Sequence, residues 1–217
     1  VWMTGDSSAN VTFAAEVAAV SLDISGNVDI DGTLETDAIT LGGASFIKVE
    51  GTNFTDSLLL GHTTTGTLNA ATKNTGIGID ALDALTSGDY NTMVGWGAGT
   101  AITTSASNTA VGKDASSAST TAGGNTSVGY LALTLNTGVN NTAVGAHALD
   151  TQTAGAGNTA VGMAAGTAIT TGEGNTCMGL YALATVTNGT NNTAMGTYCL
   201  YLSTGGSNTA MGWGALE

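Results

Sequence analysis

Two histidines, His62 and His147, are the residues of this chain whose ordinary proton affinity suits acid–base work near neutrality, and they stand in different regions of the sequence. His147 occupies a position that other copies of a repeat fill with Asp80, Gly97, Asp114, Leu131, Ala164, Tyr181, Tyr198 or Gly214, as an exposed variable site does. Asp and Ser are plentiful, but nothing pairs them with a base at a spacing that would activate a nucleophile. Cys177 and Cys199 read as small space-fillers on different strands, since a disulfide between them needs an accommodating geometry. Fragments such as Gly95-Trp96-Gly97 lack the strand–loop–helix setting of a phosphate loop. The Asp-rich turns fit neither the EF-hand loop nor the Gly-Gly-x-Gly-x-Asp calcium roll, so solvated carboxylates are the simpler reading beside adventitious Ca²⁺. The expectation is no enzyme, no catalytic or metal site and no cofactor.

Aromatic residues are the best candidates for recognition. Trp96, Tyr130, Tyr181, Tyr198 and Trp213 all fall at the two positions that follow a repeating Gly. Such a strip could stack on sugars of a receptor or pack between neighbouring chains, and the second use is the expected one.

What places these residues is a phrase, Asn-Thr-small-aliphatic-Gly, found nine times, from Asn74, Asn91, Asn108, Asn125, Asn141, Asn158, Asn175, Asn192 and Asn208. Successive starts lie 17, 17, 17, 16, 17, 17, 17 and 16 residues apart. The repeating Gly is Gly95, Gly112, Gly129, Gly145, Gly162 and Gly179 in the central copies; three residues on comes Ala, or Cys199, and then Leu in six of the nine. A unit this short, with Gly at its fifth position, cannot hold a helical repeat. Two short strands and two turns fit it, which predicts one coil of a parallel β-solenoid per repeat. Nine coils at about 4.8 Å make a stack roughly 43 Å long.

Alternation along the strand puts Thr and Val on one face and Asn and the small residue on the other. The Val column, with its β-branched Thr neighbours, is the expected interior. That leaves Ala110, Ser127, Ala143, Ala160, Cys177, Ala194 and Ala210 outside, where small side chains would let another chain approach as an oligomer interface. An inward Thr column also argues against an ice-binding array, which needs outward hydroxyls.

Composition narrows the partners. With 3 basic and 16 acidic residues in 217, and a formal charge of −13, the chain is unsuited to nucleic acid, whose phosphates need Lys and Arg. No apolar run is long enough to span a bilayer, so no membrane insertion is expected of this segment. Val1 in place of Met, and an end nine residues after Asn208, suggest a section of a longer polypeptide.

Residues 1–65 differ in texture. Val20–Ile24, Val28–Ile30 and Ala38–Leu41 read as short strands between Gly, Asn and Asp turns, and Val11–Val20 as a helix or strand. They are too sparse in large apolar groups for an independent globular domain, and a thin intertwined β shaft is expected there, followed by the β-roll at 66–217.

The core Ala143-Val144-Gly145-Ala146-His147-Ala148 and its repetition resemble the head repeat of trimeric autotransporter adhesins of the YadA type. That resemblance implies a left-handed parallel β-roll and a homotrimer. The stretch Leu22-Asp23-Ile24-Ser25-Gly26-Asn27-Val28-Asp29-Ile30-Asp31-Gly32-Thr33-Leu34, followed by Asp37-Ala38-Ile39-Thr40, is similar to parts of tail-fibre proteins of bacteriophages from aquatic bacteria. Together they imply an all-β homotrimeric fibre segment for host attachment. Its partners would be its own copies, other virion tail proteins and a host surface glycan or protein, and its place the virion or, alternatively, a bacterial cell surface as an adhesin head. A direct glycan-binding module is the other alternative.

Overall fold

The computed structural model describes residues 39–41, 44–51, 54–60 and 69–217, which fall in one compact unit, and it is all-β there with no helix. Strands β1 (Ile39–Leu41), β2 (Ala44–Gly51) and β3 (Phe54–Leu60) pair antiparallel in succession. Everything after them is parallel. The short β4 (Ala71–Thr72) pairs with the start of β3, and β5 (Thr75–Ile77) with its end. The sheet then grows by one strand per repeat: β6 (Thr92–Val94), β7 (Thr109–Val111), β8 (Thr126–Val128), β9 (Thr142–Val144), β10 (Thr159–Val161), β11 (Thr176–Met178), β12 (Thr193–Met195) and β13 (Thr209–Met211). Thr pairs with Thr and the aliphatic residue with the aliphatic residue throughout, so the β-solenoid is stacked in register.

The strand expected at 38–41 corresponds to β1, while the readings at 11–20, 20–24 and 28–30 lie outside the described residues. The sequence suggests a change of architecture after residue 65, yet the parallel sheet runs back across it. Ser57 takes the place of the repeat Asn, and its Oγ accepts the backbone N–H of Asn74 at 2.7 Å. Ser57-Leu58-Leu59-Leu60-Gly61 is thus a degenerate copy of the phrase, 17 residues before Asn74.

Each coil carries one three-residue strand rather than the expected two. Counting the repeat Asn as position 0, positions 6 and 8 adopt left-handed backbone, as at Leu131 (φ 54°) and Leu133 (φ 55°), or His147 (φ 57°) and Leu149 (φ 51°). Two such residues flanking one ordinary residue cannot continue an extended strand. Each costs about 1–2 kcal/mol when it is not Gly, a cost of the same order as the roughly 1.5–3 kcal/mol gained by burying a Leu at position 8. The backbone remains bonded from coil to coil, as in Leu133 N–H to Ala148 O at 3.0 Å and Leu183 N–H to Cys199 O at 2.9 Å.

The faces are the reverse of the expectation. Gly76, Met93, Ala110, Ser127, Ala143, Ala160, Cys177, Ala194 and Ala210 are buried inside the single chain, so they are core and not a surface for another chain. The Thr and Val columns look outward. The physical reason is volume: a 17-residue coil closes on so small a cross-section that Leu at position 8 leaves room only for a small residue at position 2. Met93 fits because position 8 of its coil is Gly99, where an added Cβ would lie 2.8 Å from the Met93 sulfur. Position 11 completes the interior with Leu85, Ile102, Ile169 and Val186. That core is interrupted in the middle. One apolar cluster ends at Ala115 and the next begins at Ala132, and between them Ser116, Ser119 and Ser127 point inward, followed by Asn136.

A buried asparagine ladder ties the coils. Asn91 donates its backbone N–H and its Nδ2 to Asn74 Oδ1, at 3.0 and 3.1 Å, and Nδ2 also reaches Ser105 O across its own coil at 2.9 Å. Asn158 N–H donates to Asn141 Oδ1 at 2.9 Å, and Asn141 Nδ2 to Gly155 O at 3.0 Å. Replacing Asn141 by Ala strands the Asn158 N–H in the interior and leaves Gly155 O with Gln152 Nε2 as its remaining side-chain donor. The expected loss is roughly 1–3 kcal/mol, read from chemical denaturation.

The repeating Gly is a second requirement. Gly112 has φ +139°, and a Cβ there would lie 2.5 Å from the carbonyl oxygen of Gly129 in the next coil. Gly157 has φ +66° with nothing within 4 Å of an added Cβ. Gly112→Ala is therefore expected to lower the thermal midpoint far more than Gly157→Ala, whose cost is the left-handed backbone alone, about 1–2 kcal/mol. Equal effects would show that the inter-coil approach is soft.

Candidate functional site

The outward face of the parallel sheet is the most extended special surface among the described residues. Its first column is Thr at position 1, from Thr75 to Thr209. The second, at position 3, is Ile77, Val94, Val111, Val128, Val144, Val161, Met178, Met195 and Met211. Period-two alternation sends both columns away from the core once position 2 is buried. Val111 and Met178 are each 39% exposed, which is large for aliphatic side chains in the middle of a sheet. Neither column holds a charged residue, although the chain carries −13 overall.

Beyond the repeating Gly, position 5 adds exposed bulk at Ile79, Trp96, Tyr130, Met163 and Trp213. The five expected aromatics do not form one strip. Trp96 and Tyr130 are bridged by Lys113, whose Nζ lies 4.8 Å from the Trp96 ring centre and 5.3 Å from that of Tyr130. Lys113 also pairs with Asp114 at 2.8 Å, and that hydrogen bond raises its proton affinity above the ordinary lysine value, outweighing partial desolvation. Tyr181 and Tyr198 sit at position 6, half-buried and stacked on each other at 5.4 Å, with Tyr201 edge-on to both. Trp213 stands apart on the last coil, 78% exposed.

His147 meets its neighbours as a surface residue. Its ring is edge-on to Tyr130 at 5.3 Å, and Nδ1 lies 2.9 Å from Asp150 Oδ2. Asp150 Oδ1 accepts in turn from Thr167 Oγ1 at 2.6 Å. Two turn residues and a ring make a local clasp between coils, with no nucleophile converging on it. His62 lies outside the described residues. Among the described residues no group of three or more His, Cys, Asp and Glu could hold a metal ion, and no helix is long and apolar enough to cross a membrane. An open concavity at the final coil is lined by Leu200, Leu202, Asn208, Leu216 and their neighbours, where the inward columns reach the last described strand.

One ladder was missed in the sequence. Position 12 is Thr in all eight complete coils, from Thr86 to Thr204. Thr86, Thr103, Thr153 and Thr170 each donate their hydroxyl to the carbonyl of the next Thr in the series, at 3.0–3.2 Å. Aligning the copies past position 8 would have revealed it.

The two cysteines are free and buried, Cys177 in the core column and Cys199 at position 7. Burial pushes the Cys177 thiol from an ordinary 9.0 up to about 12. The folded chain therefore keeps a proton that the unfolded chain releases, and stability attributable to this group declines as pH climbs from about 9 to about 12. Neither thiol is expected to react with a neutral-pH thiol reagent until the coils unfold, when both should titrate. Rapid native labelling would contradict the burial.

Comparison with family models, with curated proteins and with solved structures finds no match.

Proposed function

We infer that this chain is a non-enzymatic structural segment of an extracellular fibre, built from copies of itself, that holds an attachment tip away from a particle or cell. The observation that carries this reading is the uninterrupted stack: coils of 16 or 17 residues, registered strand on strand, with no insertion that would build a substrate groove. Backbone bonds join every coil to the next around more than one side, which suits a load-bearing rod. The high negative charge keeps such a rod soluble and free of nonspecific adhesion to anionic surfaces. The resemblance of residues 22–40 to tail-fibre stretches favours a bacteriophage tail fibre over a bacterial adhesin head, and three chains as the assembly. Covering of Trp96 and Tyr130 by Lys113 makes them less suited to a bare stacking platform for sugars.

The mass in solution tests the reading. Light scattering coupled to size exclusion is expected to give three times the 21.2 kDa of one chain. A stable monomer at micromolar concentration would refute the self-assembled fibre.

A further inference from the structure

We propose that copies of this chain meet through the outward Thr and aliphatic columns of the parallel sheet, at positions 1 and 3, the reverse of the face that strand alternation first suggests. The inference rests on the fibre reading above and names the surface that joins its chains.

Three observations point to a second copy as the occupant. The first is composition: the columns contain nine Thr with Ile77, five Val and three Met, and no charge, in a chain whose formal net charge is −13. Two chains at −13 each repel, and an uncharged face is where they can approach at least electrostatic cost. The second is exposure. Val and Met in mid-sheet positions remain open, Val111 and Met178 each at 39%, where their neighbours on the inner face, Ala110 and Cys177, are fully buried. A continuous apolar stripe of this kind marks an interaction surface.

The third is period. The face repeats Thr beside aliphatic at every strand, in register from β5 to β13. A partner that fills such a ruled surface needs the same spacing, about 4.8 Å, and another copy has it by construction. The area is adequate. Nine strands at about 4.8 Å and a width of roughly 10 Å give on the order of 400–500 Å² per chain, so two faces together approach the roughly 1,000 Å² of a specific interface. The exposed position 5 residues Trp96, Tyr130 and Met163, with Lys113 between the two rings, border the patch at one side and supply aromatic and Met content of the kind enriched at interfaces.

Outward Thr ranks also meet the first requirement of an ice-binding plane, contrary to the inward placement expected from the sequence. Only one of the two columns bears hydroxyls, the other ends in three Met, and the neighbouring Trp96 and Tyr130 are exposed beside it; a second copy fits that mixture better than a crystal lattice does.

The test uses the full chain. Val111→Glu with Val144→Glu places carboxylates on the proposed face, and Thr104→Glu with Ala154→Glu places them at exposed position 13 turns as a control. Mass is read by light scattering and fold by circular dichroism. An oligomeric wild type and control, with a monomeric face variant of native spectrum, is the expected result. A face variant that stays oligomeric would overturn the interface and leave the fibre reading standing. A monomeric wild type would sink both, and one that also shapes ice would assign the face to ice. Should the face variant fail to fold, Val144→Cys and Ala154→Cys in the otherwise unchanged chain decide the matter. Slow maleimide labelling at 144 and fast labelling at 154 in the oligomer is expected, and equally fast labelling would overturn the proposal.

Discussion

Every coil of this molecule depends on one buried side-chain amide. The repeat Asn accepts from the backbone N–H of the next Asn at every junction, and its amide reaches across its own coil to a turn carbonyl in most coils, as at Asn91, so a single residue both closes a loop and fastens it to its neighbour. A chain with no Pro and 33 Gly has a large conformational entropy to overcome. Local bonding of that kind lets each 17-residue unit hold its shape with few large apolar groups. The Gly that follows the strand is then required, because successive coils there approach backbone to backbone with no space for a Cβ. Asn and Gly recur for linked reasons, one filling an interior with hydrogen bonds and the other leaving room for them.

The solenoid itself was legible because its period is nearly invariant, and the parity of the strand residues was legible because alternation is geometric. Which parity faced inward was not. β-Branched and aliphatic residues ordinarily mark an interior, and that rule assumes a core wide enough to hold them. Here the core is filled by Leu at position 8 and a residue at position 11, and the column between them takes what volume remains. The sequence does contain the clue: Met93 occurs in the coil where position 8 is Gly99, a compensation that only two side chains sharing one space would need. The single strand per coil could not be seen, since left-handed backbone at Leu131, Leu133, Tyr181 or Leu183 has no signature in residue type. The hairpin strands at residues 44–60 were hidden by a phrase in which Ser57 stands for Asn and Leu for Thr.

Of the candidate site residues, the small column moved from surface to core, the aromatic group divided into a Lys113-bridged pair, a tyrosine cluster and a lone Trp213, and the Thr column moved from core to surface. All three changes follow from the one inversion of faces or from its effect on positions 5 and 6. The outcome is a rod with strongly contrasting sides: an uncharged, ordered sheet face on one and acidic, hydroxyl-rich turns on the others.

The interruption of the apolar interior between Ala115 and Ala132 has a mechanical meaning. Coils on either side share Leu and Ala contacts along the axis, whereas Ser116 and Ser127 meet there through a hydroxyl pair at 2.9 Å, the hydroxyl of Ser119 has no hydrogen-bond partner, and two coils on the buried Gln152 Oε1 has none either. In a one-dimensional array, the weakest coil-to-coil junction sets where the stack divides. Under tension along its length the rod should part at this seam into two cohesive blocks, yielding in the middle before it frays at an end.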